Sequence, residues 1–530
     1  MIKGLYTLVV LFICNSWATA QYLDWVKSTG DASPETVEDI VVDQLGNVYV
    51  IGSFYGTVDF DPSPTVYNLT AIGDQDIFIQ KLDAAGNLVW AKSFGGANMD
   101  YGKSIFVDAT GNVYTAGAVD GAVDFDPNTA VNSLIGGGFV QKLDVAGNLV
   151  WAKTFGTTTN EQVTSIAVDL LGNVHLVGLF NSTVDFDPNP AVYNLTSNGQ
   201  QDIFMVKLDA VGSLVWAKSI GGPFLDWGYD IALDAQSDVY TTGNFGGVVD
   251  FDPNQGTSNL IAGPGGNMYI QKLDATGNLV WAKSTANGGS GKSIVLDNAG
   301  YLYATGRSTQ KLDLAGNIIW AEYGQGESIA VDTAHNVYVT GSFSGTVDFD
   351  PSTNTTNLNS MGTTDMYVQK LDSAGSFVWV KQAGGAGSFC HGYGIVTDEL
   401  NNIYIAGEYR NAVDFDPNSG INTLIAVGDY DIYIQKWSPN LPTGIERIEE
   451  NLSFKVYPNP STGVFNIELP QGAKAGQIQV VDNIGQVVYE GILTEPKSIL
   501  DLSTFALGVY HAKMYLDTGQ HIFAKILLVR

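Results

Sequence analysis

The stretch DIFIQKLDAAGNLVWAKSFGG, residues 76–96, decides the fold, because close copies of it recur along the chain. Two runs with apolar residues at alternate positions are joined in it by Asp-Ala-Ala-Gly-Asn. Period-two alternation rich in Val, Ile, Phe and Trp is typical of β-strands, and an Asp-x-x-Gly-Asn segment favours a tight turn. The stretch therefore predicts a β-hairpin.

The Trp of this hairpin marks seven repeats. The seven copies are Trp25, Trp90, Trp151, Trp216, Trp281, Trp320 and Trp379. A second hairpin, as in IVVDQLGNVYVIGSF at residues 40–54, completes a unit of four strands, which we letter a to d. Repeated units of four antiparallel strands predict an all-β fold of the β-propeller type.

The two ends of the repeat region complete one another. The last unit stops after its strand c, at Trp437, whereas the run YLDWVKS at residues 22–28 is a strand d without a unit. Joining them leaves no exposed sheet edge. We therefore predict a seven-bladed β-propeller over residues 21–437, closed by its N-terminal strand.

The first residues, MIKGLYTLVVLFICNSWATAQ, predict a signal peptide over residues 1–20, with Lys3, an apolar stretch and an Ala-Thr-Ala cleavage site. A lipoprotein signal using Cys14 is disfavoured by Ile13 in front of it. Cleavage leaves Cys390 as the only cysteine, so we expect no intramolecular disulfide. No later apolar run reaches the about 20 residues of a membrane helix.

The formal net charge of −30 is unfavourable for binding nucleic acid, because so acidic a surface repels phosphates. It suits a soluble extracellular protein. We expect a monomer.

The repeat GTVDFDP…NLT…DIFIQKLDAAGNLVWAKSFGG resembles the β-propeller repeats of secreted Bacteroidota proteins over residues 21–437. KLDAAGNLVW is also similar to the tryptophan-docking repeat of pyrroloquinoline-quinone dehydrogenases. That resemblance implies that Trp90 and its equivalents lock neighbouring blades together. It does not extend to the quinone, because those enzymes have eight blades and a vicinal cysteine pair.

The C-terminal residues 452–530 resemble the sorting domain of the type IX secretion system. The matching residues are Pro458, Asn459, Pro460, Gly463, Gly485, Gly508, Tyr510 and the final strand from Lys525 to Arg530. The resemblance implies a small Ig-like β-sandwich, export across the outer membrane by the secretion machinery, and a secreted or surface-attached product. A polar linker, residues 438–451, precedes it.

The irregular connections of a propeller, from b to c and from d to a, lie on one face. Loops such as IGGPFLDWGYD and AGGAGSFCHGYG are expected there. Binding surfaces favour such loops. The residues predicted to bind a ligand are Tyr101, Trp227, Tyr229, His391 and Tyr393.

Catalytic signatures are weak. The adjacent Cys390 and His391 have no third group to orient them, and neighbours in sequence point apart. We therefore predict no catalytic residue.

The motif VDFDP occurs six times, and its absence from the unit of Trp320 indicates an added hairpin between strands b and c. Its aspartates are Asp59, Asp61, Asp124, Asp126, Asp185, Asp187, Asp250, Asp252, Asp348, Asp350, Asp414 and Asp416. Turn capping and protection of an edge by charge are the favoured roles. Calcium binding by the paired carboxylates is the alternative, and the only cofactor considered.

These observations predict a binding or adhesion scaffold for a glycan or a surface protein. The alternative is a hydrolase or lyase that acts on extracellular polysaccharide at the irregular face.

Overall fold

The computed structural model describes residues 21–439, except 129, 286–287 and 419, and eight segments of the C-terminal region. These segments are 455–459, 461–469, 476–481, 487–493, 495, 497–506, 508–516 and 521–529. The predicted signal peptide lies outside the described residues, as does the predicted linker apart from its first two residues. The chain divides after Leu441 into two compact units. Every regular element described is a β-strand, and none of the described segments is a helix that could cross a membrane.

The described residues of the first unit form seven antiparallel sheets of four strands, here numbered sheets 1 to 7. The N-terminal strand is β1 (Tyr22–Thr29), and sheet 1 has β2 (Thr36–Val42), β3 (Val48–Phe54), β6 (Asp76–Leu82) and β7 (Leu88–Phe94), with a hairpin of β4 (Thr57–Asp59) and β5 (Asn68–Thr70). Sheet 2 has β8 (Tyr101–Val107), β9 (Val113–Asp124), β10 (Ser133–Leu143) and β11 (Leu149–Phe155). Sheet 3 has β12 (Gln162–Val168), β13 (Val174–Phe180), β16 (Asp202–Leu208) and β17 (Leu214–Ile220), with a hairpin of β14 (Thr183–Asp185) and β15 (Asn194–Thr196).

The other four sheets repeat this plan. Sheet 4 has β18 (Trp227–Leu233), β19 (Val239–Phe245), β22 (Asn267–Leu273) and β23 (Leu279–Ser284), with a hairpin of β20 (Val248–Asp250) and β21 (Asn259–Ile261). Sheet 5 has β24 (Gly291–Leu296), β25 (Tyr301–Gly306), β26 (Ser308–Asp313) and β27 (Ile318–Tyr323). Sheet 6 has β28 (Ser328–Val331), β29 (Val337–Phe343), β32 (Asp365–Leu371) and β33 (Phe377–Ala383), with a hairpin of β30 (Thr346–Asp348) and β31 (Asn357–Asn359). Sheet 7 has β34 (Phe389–Thr397), β35 (Ile403–Arg410), β38 (Asp431–Ser438) and β1, with a hairpin of β36 (Ala412–Asp414) and β37 (Thr423–Ile425).

Sheet 7 is assembled from both ends of the repeat region. The N-terminal strand β1 runs antiparallel to β38, with Trp25 opposite Lys436, so that β38 lies between β1 and β35. This is the position that the sequence predicted for the N-terminal strand.

The core consists of apolar clusters that each lie between two neighbouring sheets. Successive residues of β3 alternate between the two neighbouring sheets. Val48 and Val50 pack toward sheet 7, whereas Tyr49 and Ile51 pack toward sheet 2. Because both faces of the strand are covered, β3 is buried at every residue. Such clusters join sheet 1 to 2 and each following pair, and the last one joins sheet 7 to sheet 1. The innermost strands β2, β8, β12, β18, β24, β28 and β34 likewise contact one another in a closed cycle.

The Asp-x-x-Gly-Asn segments form the predicted hairpin turns. Asp43 Oδ1 accepts hydrogen bonds from the backbone N–H groups of Leu45 and Asn47, both at 2.9 Å. Gly46 has φ +79°, in the left-handed region that favours glycine.

The tryptophans of the d strands connect neighbouring sheets, as the resemblance to docking repeats implied. Trp90 Nε1 donates to the carbonyl of Val145 in sheet 2 at 3.3 Å, and Trp25 donates to Ala84 in sheet 1 at 3.1 Å. Trp379 differs, because its Nε1 is buried without a partner among the described residues. Its partner would come from a c–d turn of sheet 7, where the chain instead leaves the sheet after β38.

Each VDFDP motif lies in a hairpin between strands b and c. Five form separate two-stranded sheets, and the sixth extends β9 and β10. Phe60 is fully buried against Phe54 and Phe78, and its carbonyl accepts a 2.7 Å hydrogen bond from Gln80 Nε2. Sheet 5 goes directly from β25 to β26, so a sheet forms without the hairpin.

The second unit contains two sheets that share one apolar core. One sheet consists of β39 (Lys455–Tyr457), β40 (Val464–Glu468) and β43 (Lys497–Asp501), and the other of β42 (Val487–Leu493), β41 (Gly476–Val481), β44 (Gly508–Leu516) and β45 (His521–Leu528). Phe465 and Leu500 from the first sheet pack with Ile478 and Ile526 from the second.

Candidate functional site

The innermost strands surround a cavity of about 490 Å³ that receives residues from all seven sheets. We call it the axial cavity. It lies at the end of the sheets that carries the d–a connections, here called the loop face, and the end with the Asp-x-x-Gly-Asn turns is the turn face. The lining residues are Glu38, Lys103, Gln162, Thr164, Leu179, Gln201, Trp227, Tyr229, Lys292, Glu327 and Tyr393.

In six of the seven sheets, a β-bulge directs one side chain toward this cavity. The pairing of β2 with β3 shifts between Val37 and Asp39, so that Glu38 is the extra residue. The same shift occurs in five other innermost strands and leaves Lys103, Thr164, Tyr229, Lys292 and Tyr393 unpaired. Glu327 immediately precedes β28 in sheet 6. Bulges bend a strand and change the direction of a side chain, which explains why these residues face the axis.

Charged residues of the axial cavity are ion-paired across neighbouring sheets. Lys103 Nζ lies 2.7 Å from Glu38 Oε1, and Lys292 Nζ lies 3.3 Å from Glu327 Oε2. The two pairs belong to sheets 1 and 2 and to sheets 5 and 6, which stand on opposite sides of the cycle of sheets.

Aromatic side chains occupy the walls between these ion pairs. Trp227 and Tyr229 of sheet 4 meet edge to face, with ring centroids 6.0 Å apart, and Trp227 Nε1 donates to Gln201 Oε1 at 2.8 Å. In sheet 7, Tyr393 stacks on His391 with centroids 4.2 Å apart, and its hydroxyl donates to Glu408 Oε1 at 2.7 Å. These bonds hold the rings in place, so the walls are preorganised.

The residues that directly follow the bulged ones form a belt of short polar side chains, among them Asp39, Ser104, Ser165 and Asp230, which hydrogen-bond across neighbouring sheets. Asp39 Oδ2 accepts hydrogen bonds from Ser104 Oγ at 2.9 Å and from Ile105 N at 3.0 Å, both in the next sheet. Asp230 similarly accepts from Ser165 Oγ at 2.7 Å. Burial raises the pKa of both carboxyls above the ordinary range, that of Asp39 to about 7. The belt is therefore sensitive to pH.

We expect the propeller to be more stable at about pH 5.5 than at about pH 8.5. Burial raises the pKa of Asp39 to about 7 and those of Asp100 and Asp202 to about 6. A folded-state pKa above the unfolded value of about 4 gives stability that is complete at low pH and lost as pH rises through the folded pKa. Thermal melts over this range measure the effect.

The matched variants for this prediction are Asp39→Asn, which removes the carboxyl whose pKa is raised to about 7, and Asp74→Asn, which removes a carboxyl at an exposed site. Only Asp39→Asn should flatten the profile between about pH 5.5 and 8.5. A melting temperature that rises over this interval in the unmodified protein would contradict the prediction.

An apolar side pocket of about 610 Å³ adjoins the axial cavity, and Trp227 lines both. Phe224, Leu225 and Pro264 form part of its wall. Phe224 is 55% exposed, although it is a large apolar side chain. Trp227 thus forms a wall that the two spaces share.

The paired aspartates of VDFDP cap backbone turns. Asp59 Oδ1 accepts from the N–H groups of Asp61 at 3.0 Å and Tyr67 at 2.8 Å, and Asp61 Oδ1 accepts from Ser63 N at 2.9 Å. The first carboxylate bonds in the same way at Asp124, Asp185, Asp250, Asp348 and Asp414, and the second at Asp126, Asp187, Asp252, Asp350 and Asp416. This is the capping geometry that the sequence favoured.

Calcium binding at these pairs stays a prediction. The described residues contain no group of three or more His, Cys, Asp or Glu side chains arranged to hold a metal ion. Because backbone N–H groups already engage the capping oxygens, we expect the same melting temperature in EDTA and in millimolar calcium. A rise of several degrees with calcium would instead establish the alternative, and Asp59→Asn should then reduce that rise.

The sequence placed the five predicted ligand-binding residues in loops, and this was wrong. Tyr101 begins β8, Trp227 and Tyr229 lie in β18, and His391 and Tyr393 lie in β34. Their glycine-rich surroundings suggested a loop, but the glycines fit where neighbouring strands pack closely. Trp227, Tyr229 and Tyr393 line the axial cavity together; Tyr101 and His391 precede bulged residues of the same set.

Cys390 and His391 point to opposite faces of β34. Cys390 is fully buried in the core between sheets 6 and 7, and burial raises the pKa of its thiol. Burial lowers the pKa of His391, whose ring stacks on Tyr393. The two side chains therefore do not form a nucleophile and base.

Sequence reasoning missed the charged members of the cavity. Glu38, Lys103, Lys292 and Glu327 occupy one position of strand a, two residues before a constant isoleucine. Alignment of the repeats with one another shows that this position changes chemical type from unit to unit, and that signal could have found them.

Comparison with known protein families gives one match in each of the two units of the chain. Residues 455–529 match the family model described as the secretion system C-terminal sorting domain, and residues 378–408 match the one described as a beta-propeller repeat. The chain is a β-propeller repeat protein with a type IX secretion sorting domain. It is accordingly secreted or attached to the outer surface of the cell.

Similar proteins have varied descriptions. An uncharacterized WD repeat-containing protein of Acanthamoeba polyphaga mimivirus is 25% identical over 40% of this chain and 18% of its own length. The regulatory protein FlaEY of Caulobacter vibrioides is 28% identical over 33% of this chain and 19% of its own. The chain thus spans less than a fifth of the length of these curated relatives. Among solved structures, BamB from Moraxella catarrhalis has a TM-score of 0.33 at 13% identity, covering 76% of this chain and 96% of BamB.

Proposed function

We propose that this β-propeller is a non-catalytic binding or adhesion protein that holds a glycan or a surface protein in its axial cavity. In this proposal the seven sheets are the blades of one closed ring. Residues 1–20 are the signal peptide, 438–451 the linker and 452–530 an Ig-like sandwich that engages the secretion machinery. The closed cycle of contacts among the innermost strands supports the ring.

One observation carries the proposal: the position two residues before the constant isoleucine of strand a takes Glu, Lys, Thr, Tyr, Lys, Glu and Tyr in successive sheets, while the turn face repeats one turn motif. A residue that is the same in every repeat usually maintains the fold. The bulged side chains face the axial cavity instead, where they differ in charge and size from sheet to sheet. A preorganised concave site with a few convergent polar groups is the usual form of a ligand site.

The glutamates of the cavity are held in ion pairs with lysines, and this favours ligand binding over general acid catalysis. Glu38 is ion-paired with Lys103, and Glu327 with Lys292. General acids need a protonated carboxyl aimed at the scissile bond, and a lysine beside a carboxylate opposes protonation.

A polysaccharide hydrolase or lyase is the second candidate. The observation that favours it is that Glu38 and Glu327 each occur once, as catalytic residues do, instead of recurring in every unit. Incubation with polysaccharides, followed by mass spectrometry of the products, separates the two functions. Cleavage that is lost in Glu327→Gln would replace the binding proposal with the enzyme.

Binding is tested by screening the purified full chain against a glycan array and extracellular surface proteins. Any ligand found is then titrated against Lys292→Met and Trp227→Ala in the cavity and against Leu45→Ala, an 81% exposed residue of the turn face. We expect the cavity variants to lose about tenfold or more in affinity and Leu45→Ala to bind normally. Unchanged affinity in both cavity variants would place the site elsewhere and refute the proposal.

A further inference from the structure

We propose that the axial cavity holds one pyranose unit of a neutral oligosaccharide, and that the next unit lies over Phe224 in the side pocket. This inference rests on the binding function proposed above and specifies its ligand. It follows from the charge balance of the cavity, its aromatic walls and the side pocket that shares Trp227 with it.

The cavity is charged but already neutralised. Its lining residues include two glutamates and two lysines, and each glutamate is paired with a lysine of the neighbouring sheet at 2.7 Å or 3.3 Å. A ligand with a carboxylate, sulfate or ammonium group would have to break one of these pairs and leave a partly buried charge without its partner, which is costly. The pairs thus favour an uncharged ligand.

Hydroxyl groups are suited to such pairs. A sugar hydroxyl both donates and accepts, so neighbouring hydroxyls can accept from the lysine and donate to the glutamate without separating them. Hydrogen bonds to ionised groups are stronger than those between neutral groups. Two ion pairs on opposite sides of the cavity would therefore bind hydroxyls at opposite edges of one ring.

Aromatic walls fit the other surface of a pyranose. Trp227 of sheet 4 and Tyr393 of sheet 7 stand three sheets apart in the cycle of seven, between the two ion pairs. The C–H faces of a sugar ring are apolar and pack on aromatic carbon. The hydrogen bonds of Trp227 to Gln201 and of Tyr393 to Glu408 fix both rings before a ligand arrives.

The net charge of the whole chain also favours a neutral ligand over an acidic one. A formal charge of −30 repels uronic or sulfated polysaccharides at a distance and has no such effect on neutral ones.

The side pocket indicates a ligand longer than one sugar. Trp227 lines both spaces, whereas Phe224, which is 55% exposed, lines only the side pocket. A second sugar unit leaving the axial cavity past Trp227 would cover Phe224.

The experiment is calorimetric titration of the full chain with gluco-, xylo- and chito-oligosaccharides of increasing length and with oligogalacturonate. We expect neutral oligosaccharides to bind more tightly than their monosaccharides. We also expect an affinity that hardly changes between about 50 and about 500 mM sodium chloride, since no ion pair forms with the ligand. Oligogalacturonate should not bind.

Variants separate the two subsites. Trp227→Ala should reduce the affinity for every length by about tenfold, whereas Phe224→Ala should reduce it only for disaccharides and longer chains. Leu45→Ala is the matched control, and melting curves verify that each variant is folded. Lys292→Met provides a second cavity variant in case Trp227→Ala is unstable.

Two results would overturn this inference while leaving the binding function intact: tighter, salt-dependent binding of the acidic saccharide, or a peptide ligand whose affinity falls in the cavity variants. Absence of binding by all neutral saccharides would also overturn it. The binding function itself fails only if no ligand of any class responds to the cavity variants.

Discussion

A chain that lacks residues 22–29 is expected to lose the closed propeller, with a melting temperature more than about 10 °C lower or no cooperative transition. The deleted strand supplies one edge of sheet 7 and packs Leu23 and Val26 into the core between sheets 6 and 7. Trp25 packs with the core between sheets 7 and 1 and bonds to Ala84. Deletion removes all of these contacts and exposes β38 as an unpaired edge, which also promotes aggregation.

The measurement is a thermal melt of the purified protein, expressed without residues 1–20, with and without the strand. Trp25→Ala serves as a milder variant with an intact backbone, and Leu45→Ala on the turn face as a neutral control. Equal melting temperatures with and without β1 would show that the ring does not depend on closure by this strand.

Removal of residues 455–530 is expected to abolish delivery of the protein to the cell surface or medium. Residues 455–529 match the sorting domain that directs proteins to the secretion system. Its loss should therefore leave the propeller in the periplasm. Immunodetection in fractionated cells, with and without surface proteolysis, measures the result.

Two matched chains make the export result specific. Trp227→Ala alters the axial cavity and should be exported normally, whereas a reporter carrying a signal peptide and residues 452–530 should be exported in place of the propeller. Export of the truncated chain at a normal level would contradict the assignment of the signal to these residues.

The propeller plan could be predicted from sequence because repetition makes the pattern visible seven times. Hydrophobic alternation identifies the strands, and the Asp-x-x-Gly-Asn turns give their connections, since a capped turn with a left-handed glycine depends only on local residues. The pairing of β1 with β38 followed from counting strands at the two ends.

The axial cavity could not be derived in the same way. Six of its residues are directed inward by bulges, and a bulge depends on how two strands pair, which local sequence does not specify. The loop assignment of Trp227 and Tyr229 failed because glycines beside aromatic residues resemble a turn. In β18 these residues instead lie where adjacent innermost strands approach closely.

The position of β38 determines how the propeller responds to mechanical force on its C-terminal end. The chain leaves sheet 7 from β38, a strand with hydrogen-bonded neighbours on both sides, and not from an edge strand. Tension applied through the tail must therefore shear two ladders of hydrogen bonds together, those to β1 and to β35. An edge strand is held by one ladder only, so an exit from β38 makes the propeller more resistant to pulling on its C-terminal end.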